Sequence, residues 1–134
     1  MKSSPEFDNA YGPLFSEALQ VAERITGDRR VAEDVAVETL ARARLAWWRV
    51  GDRADAWVVG KATGRALRAA RRDPALAQAR PVADLRRLSR RQRRVVALCD
   101  VVRLDPVDAA EVLHCPRRVV ERRRSRGRRR LGWK

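Results

Sequence analysis

Apolar residues recur at helical spacing along nearly the whole chain, and no stretch alternates as a half-buried strand would, which restricts the fold to all-α. From Phe7 the series continues through Tyr11, Leu14, Phe15, Ala18, Leu19, Ala22 and Ile25, one face of a long helix. Gly27 then supplies a stop, because glycine tolerates the left-handed conformation that ends helices, and Asp28 supplies an N-cap for the next helix. The inner stripe of that helix is Val31, Val35, Ala36, Leu40, Ala43 and Trp47, up to a break at Val50-Gly51-Asp52. A third helix carries Ala54, Trp57, Val58, Ala62, Ala66 and Ala69 on one face and ends at Asp73-Pro74, since proline restricts the residue before it and cannot continue the hydrogen bonding.

Residues 73–84 hold two prolines and weak periodicity, and read as a linker between two small helical modules, 7–72 and 85–132. Beyond the linker, Ser89 and Gln92 have the spacing of a capping box, opening a helix that buries Val95, Val96, Leu98, Cys99 and Val102. Asp105-Pro106 starts the next, with Asp as N-cap, and its apolar residues are Val107, Ala110, Val112 and Leu113. After a short turn at His114-Cys115, Pro116 opens a last helix that runs to about Leu131.

Two short helices around a tight turn, the second of them basic, form a helix-turn-helix pattern. The second helix of such a motif presents its first residues to base edges in the major groove, here Arg117, Arg118, Glu121 and Arg122. Arg can grip guanine bidentately and Glu can accept from cytosine. The arginines farther along, Arg124 and Arg126 among them, suit phosphates, which give salt-sensitive affinity without sequence information.

Charge supports the same division. The chain has 31 Lys and Arg against 17 Asp and Glu, a net +14. Residues 1–70 are nearly neutral at +1, whereas residues 71–134 carry +13, so a polyanion partner is expected for the second half only. Enzymatic chemistry is not expected: His114 is the only histidine, and no nucleophile elbow, phosphate loop or metal-ligand spacing occurs. Cys99 sits in the apolar run Val95–Cys99 and reads as a small buried hydrophobe; with His114 and Cys115 it falls one ligand short of structural zinc, so no metal or cofactor is expected. Residues Met1–Glu6 lack an apolar signal core and no apolar run approaches 18 residues, which points to a cytoplasmic protein without a membrane partner.

Both halves resemble the extracytoplasmic-function (ECF) branch of the bacterial sigma-70 family. The run from Ile25 to Leu40, with Thr26-Gly27-Asp28, Ala32-Glu33-Asp34 and Glu38-Thr39, is similar to that family's second conserved region, and Trp57-Val58 to the pair opening its next helix. Leu88–Arg93 and Ala109–Leu113 resemble the start of the fourth region and its first helix-turn-helix helix, and the likeness continues from His114 to Leu131. It covers roughly residues 8–131. The resemblance implies a factor that binds core RNA polymerase through Glu33, Asp34 and Glu38 against the β′ coiled coil. It further implies a −10 surface at Trp48, Trp57, Lys61, Arg65 and Arg68, and −35 reading by the terminal helix. Relatives are commonly held by an anti-sigma factor, a third partner class. By helical phase Trp47 and Trp57 read as core, and Trp48 as the exposed ring.

Several positions depart from the family pattern. Val37 stands where Gln is usual, Gly64 where Asn is usual and Arg68 where Asp is usual; the Trp48–Trp57 loop is short, and His114 replaces the turn glycine. Twelve linker residues span at most roughly 40 Å. A stand-alone helix-turn-helix regulator, or a sigma-like protein that binds DNA without melting promoters, is the alternative reading. The acidic Ala32–Thr39 motif discriminates against a repressor, which has no use for it.

Overall fold

The computed structural model describes residues 5–133; Met1–Ser4, part of the segment read as lacking a signal core, and Lys134 lie outside. Among the described residues nine α-helices follow one another: α1 (Pro5–Thr26), α2 (Arg29–Leu45), α3 (Trp47–Val50), α4 (Ala54–Arg72), α5 (Pro74–Gln78), α6 (Val82–Leu85), α7 (Arg90–Val96), α8 (Pro106–Leu113) and α9 (Arg117–Leu131). A 3-10 turn at Gly51–Arg53 joins α3 to α4, and a π turn at Ala97–Val101 extends α7. Among the described residues there is no strand.

The front module is a bundle of α1, α2 and α4. Gly27 takes the expected positive φ of 67°, and the Asp28 carboxylate accepts from the Val31 amide at 3.0 Å, so two residues reverse the chain and cap α2. Ile25, Leu40 and Val58 are fully enclosed, each contributing roughly 1.5–3 kcal/mol of apolar burial. Thr39 and Thr63 are buried too, but their hydroxyls donate to Val35 O (2.7 Å) and Val59 O (2.8 Å), so neither hydroxyl is stranded. Helix α2 stops at Leu45, earlier than the stripe to Trp47 suggests; Trp47 begins α3 and meets the Phe7 ring edge-on, centroids 5.2 Å apart.

The segment read as a linker is not an extended spacer. Asp73 caps α5 by accepting from Ala75 N and Leu76 N, with Pro74 at the first helical position. Val82 and Leu85 of α6 are buried in the common core. Arg93 ties this connector down, its Nε and Nη2 donating to Leu85 O and Leu88 O at 3.0 Å each. Weak periodicity concealed two helices too short to show a stripe.

In the rear module, Ser89 Oγ accepts from Gln92 N at 3.3 Å, but Gln92 Oε1 is buried without a partner, so only half of the expected capping box forms. The π turn, closed by Val102 N to Ala97 O at 2.9 Å, adds a residue to the helix and turns Leu98, Cys99 and Asp100 inward. Burial raises the Cys99 thiol to about 11, as suits an inert core residue. Asp105 caps α8 as expected, and His114 adopts φ 54° at its C-terminus; Pro116 is the N-cap of α9 rather than its first residue.

The modules pack on each other. Helix α8 rests on α4, where a Cβ on Gly60 would stand 3.1 Å from Val112 Cγ1. On the α1 side, Arg24 Nη1 donates to Val102 O at 2.6 Å. One continuous apolar core runs through both.

Candidate nucleic-acid interface

Helix α9 is almost without apolar residues, and only Val120 and Gly127 are buried in it. Its other side chains divide into two groups. Arg117, Arg118, Arg122 and Arg126 are exposed on the outer face, with Arg117 Nε donating to Glu121 Oε1 at 2.8 Å. Arg124 and Arg128 turn inward to Asp100, whose side chain is only 7% exposed. Arg124 meets it with two hydrogen bonds, at 3.3 and 2.9 Å, and Arg128 bonds the same carboxylate. Arg124, expected at phosphates, is therefore committed to an internal ion pair. Neighbouring carboxylate and hydrogen bonding raise its already high pKa further.

Asp100 and Gly127 are determinants that sequence reasoning missed. A Cβ on Gly127 would lie 2.7 Å from Val96 Cγ2, so the glycine lets α9 lie directly on α7. Both left signals: a carboxylate inside the apolar run Val95–Val102, and a glycine inside a helical arginine run.

On the front module, Trp48 is 84% exposed, with the Arg49 guanidinium 5.8 Å from its ring centroid. Trp57 is half-buried, and Lys61 Nζ lies 5.6 Å from its ring. Trp48, Trp57, Lys61, Arg49 and Arg65 line a cavity of about 440 Å³. Arg65 reaches back to Glu38, and Arg68 is exposed beside a second groove with Asp34 and Glu38. Glu33 pairs with Arg29 at 3.1 Å, Asp34 is exposed without an ion pair among the described residues, and Glu38 takes Arg65. Val37, the departure from the family pattern, lies exposed between these acids. Trp48, Trp57, Lys61 and Arg65 are thus brought together, whereas Glu33, Asp34 and Glu38 form a separate, outward face on α2.

A basic helix-turn-helix seated on a three-helix bundle, with an aromatic and cationic surface on the bundle, is an arrangement suited to nucleic acid. Residues 85–131 match the family described as Sigma-70, region 4. Among solved structures the chain is similar to CnrH, determined in complex with the cytosolic domain of CnrY, with a TM-score of 0.68 and 25% identity over 93% of this chain and 86% of that one. It also shares the fold of the sigma factor RpoE in complex with the anti-sigma factor NepR from Bartonella quintana, with a TM-score of 0.60 and 20% identity over 96% of this chain and 95% of that one. No curated protein sequence matches it. Residues 85–131 are thus similar to sigma-70 region 4, and over nearly its whole length the chain shares its fold with CnrH and with the sigma factor RpoE. No helix among the described residues is long and apolar enough to cross a membrane.

Proposed function

We propose that this chain is an ECF-type sigma factor that binds core RNA polymerase and promoter DNA and directs transcription initiation from the cytoplasm. The observation that carries this reading is one chain joining a region 4 helix-turn-helix to a bundle whose second helix exposes Glu33, Asp34 and Glu38. Glu33, Asp34 and Glu38 on α2 would face a basic helix of the polymerase β′ coiled coil, where charge complementarity sets register and partner choice. Arg117, Arg118, Glu121 and Arg122 would read the −35 duplex, with Arg126 on phosphates. Trp48, Trp57 and Lys61 would receive unstacked −10 bases on aromatic faces, with Arg65 and Arg68 supplying positive charge. An anti-sigma factor is a further expected partner, since RpoE is seen bound to one. No catalytic role is assigned to any residue.

Asp34 makes no ion pair among the described residues, so its reversal leaves no partner stranded inside the fold. Asp34→Arg is expected to abolish co-purification with purified core polymerase while duplex binding persists; polymerase binding at wild-type strength would reject the α2 interface. Replacing Arg118 is expected to relax base preference, whereas replacing Arg129 weakens all sequences about equally. A sigma-like regulator that cannot melt DNA is favoured by one observation: α8 closes against α4 beside Trp57 and Lys61. Run-off transcription on pre-melted and closed templates separates the two readings.

A further inference from the structure

The seam between the modules encloses a cavity of about 490 Å³. That volume lies within the range of small-molecule sites, roughly 300–1,000 Å³. The cavity belongs to neither module alone, because its walls come from α3, α4 and the turn between them on one side and from α7, the π turn, α8 and its C-terminal His114 on the other.

Its charge is one-sided. Arg49, Arg53 and Lys61 enter from the front module and Arg94 from the rear, with the His114 ring beside them, and no carboxylate lines it. None of these side chains has an ion-pair partner among the described residues. The crowding of like charge continues along α4. Arg68 Nη1 and Arg94 Nη2 stand 3.8 and 3.9 Å from the point a Cβ on Gly64 would occupy, so two guanidinium groups from different modules converge above a residue with no side chain. A seam lined this way works against its own closure unless an anion fills it.

The rest of the lining is apolar and aromatic: Trp57, Leu98, Val112 and Leu113. A bare phosphate would leave that surface unused. A flat, apolar ring system carrying phosphates would use both.

We propose that this cleft binds a free nucleotide, its phosphates bridged between the arginines of the two modules and its base lying against Trp57. The bound nucleotide holds α8 on α4 and so favours the closed form of the chain. The cleft shares Arg49, Trp57 and Lys61 with the Trp48 cavity but has a rear wall from α7 and α8. It includes none of Glu33, Asp34 and Glu38, so it does not rest on the polymerase interface, and the oligonucleotide probe separates it from strand binding.

The test is isothermal titration of the full-length chain at about 0.15 M salt, where exposed charges are screened beyond roughly 8 Å. The probes are ATP, GTP, inorganic tripolyphosphate and a short single-stranded oligonucleotide. Nucleotide binding at one site per chain is expected. Arg94→Ala and Lys61→Ala, one from each module, are each expected to weaken it at least about tenfold, the loss of one charge-assisted contact. Trp57→Leu is expected to weaken nucleotide about tenfold while leaving tripolyphosphate unchanged, as loss of base stacking does. Arg86→Ala, an exposed arginine away from the cleft, is expected to change nothing. Equal affinity for tripolyphosphate and nucleotide would overturn the proposal in favour of a bare anion site. Binding of the oligonucleotide without binding of free nucleotide would overturn it in favour of a strand-binding surface. Losses as large in Arg86→Ala as in Arg94→Ala would reduce it to diffuse cationic attraction.

Discussion

The front and rear modules face the same task, holding helices together with little apolar surface, and meet it by different means. In the front bundle close approach is made by small neutral residues, Ala18, Ala22, Ala36, Ala43, Ala62, Ala66 and Ala70, all completely buried around larger ones such as Ile25, Leu40 and Val58, and most charges stay outside. In the rear module α9 must show arginine to solvent on nearly every turn, which leaves it Val120 and Gly127 to bury. It is held instead by backbone proximity at Gly127 and by Asp100, which draws Arg124 and Arg128 inward. A helix built to bind polyanions gives up the apolar stripe that normally anchors it, so its anchor must be steric closeness and opposite charge. Stability and DNA binding are therefore coupled in the rear module and separable in the front.

The largest expected effect tests the steric anchor. Gly127→Val should destabilise the chain by about 3 kcal/mol, the upper part of the overpacking range, because even the first carbon meets Val96 at 2.7 Å. Gly12→Val in α1, where nothing lies within 4 Å, should change stability by less than about 1 kcal/mol. Equal effects in chemical denaturation would erase the contrast between the modules.

The next effect tests the ionic anchor. Asp100→Asn should cost about 1–2 kcal/mol, less than the roughly 3–5 kcal/mol of a fully buried pair because both guanidinium groups retain water contact. It also frees Arg124 and Arg128, so affinity for nonspecific duplex should rise and fall more steeply with salt, while preference for the cognate site declines as α9 loses its seating. Glu38→Gln, removing an exposed pair with Arg65, should cost less than about 1 kcal/mol and leave rear-module DNA binding unchanged. Salt-dependent binding curves for the two variants decide whether the coupling is confined to the rear module.

What could be read from the sequence follows the same line. The front helices and their caps were legible because Gly27, Asp28 and the alanine stripes act locally, within one or two turns. The helix-turn-helix was legible because Asp105-Pro106 and the His114 turn are local as well. Asp100, Gly127 and the seam at Gly60 were not, because each acquires its meaning from a residue on another helix: Arg124, Val96 and Val112. Arg124 illustrates the limit. Its place in the basic tail put it with the phosphate contacts, although it stands four residues after Val120 and three before Gly127, on the face of α9 that is buried. The connector escaped for a different reason, since helices as short as α5 and α6 present too few turns for periodicity to register.

The smallest expected effect lies at the front module's one electrostatic weak point. Glu17 on α1 sits beside Asp55 of α4, and burial, then the neighbouring carboxylate, raise its carboxyl to about 7. The cleft it lines also holds Asp52 and Arg53 from the turn before α4 and Asp108 and Glu111 from α8, so acids outnumber the single cation. A raised pKa means that the folded chain holds this proton more tightly than the unfolded chain does. Glu17 thus contributes stability that is fully present below its ordinary value of 4.5 and is lost as pH rises through about 7. Glu17→Gln removes that dependence. It should raise the melting temperature at pH 8 by roughly 2 °C, after allowance for the water that reaches this half-buried group, and by less at pH 5. Glu33→Gln, exposed on α2, should show no such difference between the two pH values. A pH-independent gain at Glu17 would mean that removal of an unfavourable side chain, and not its ionisation, accounts for the effect. The front bundle's stability would then be as insensitive to charge as its alanine core suggests.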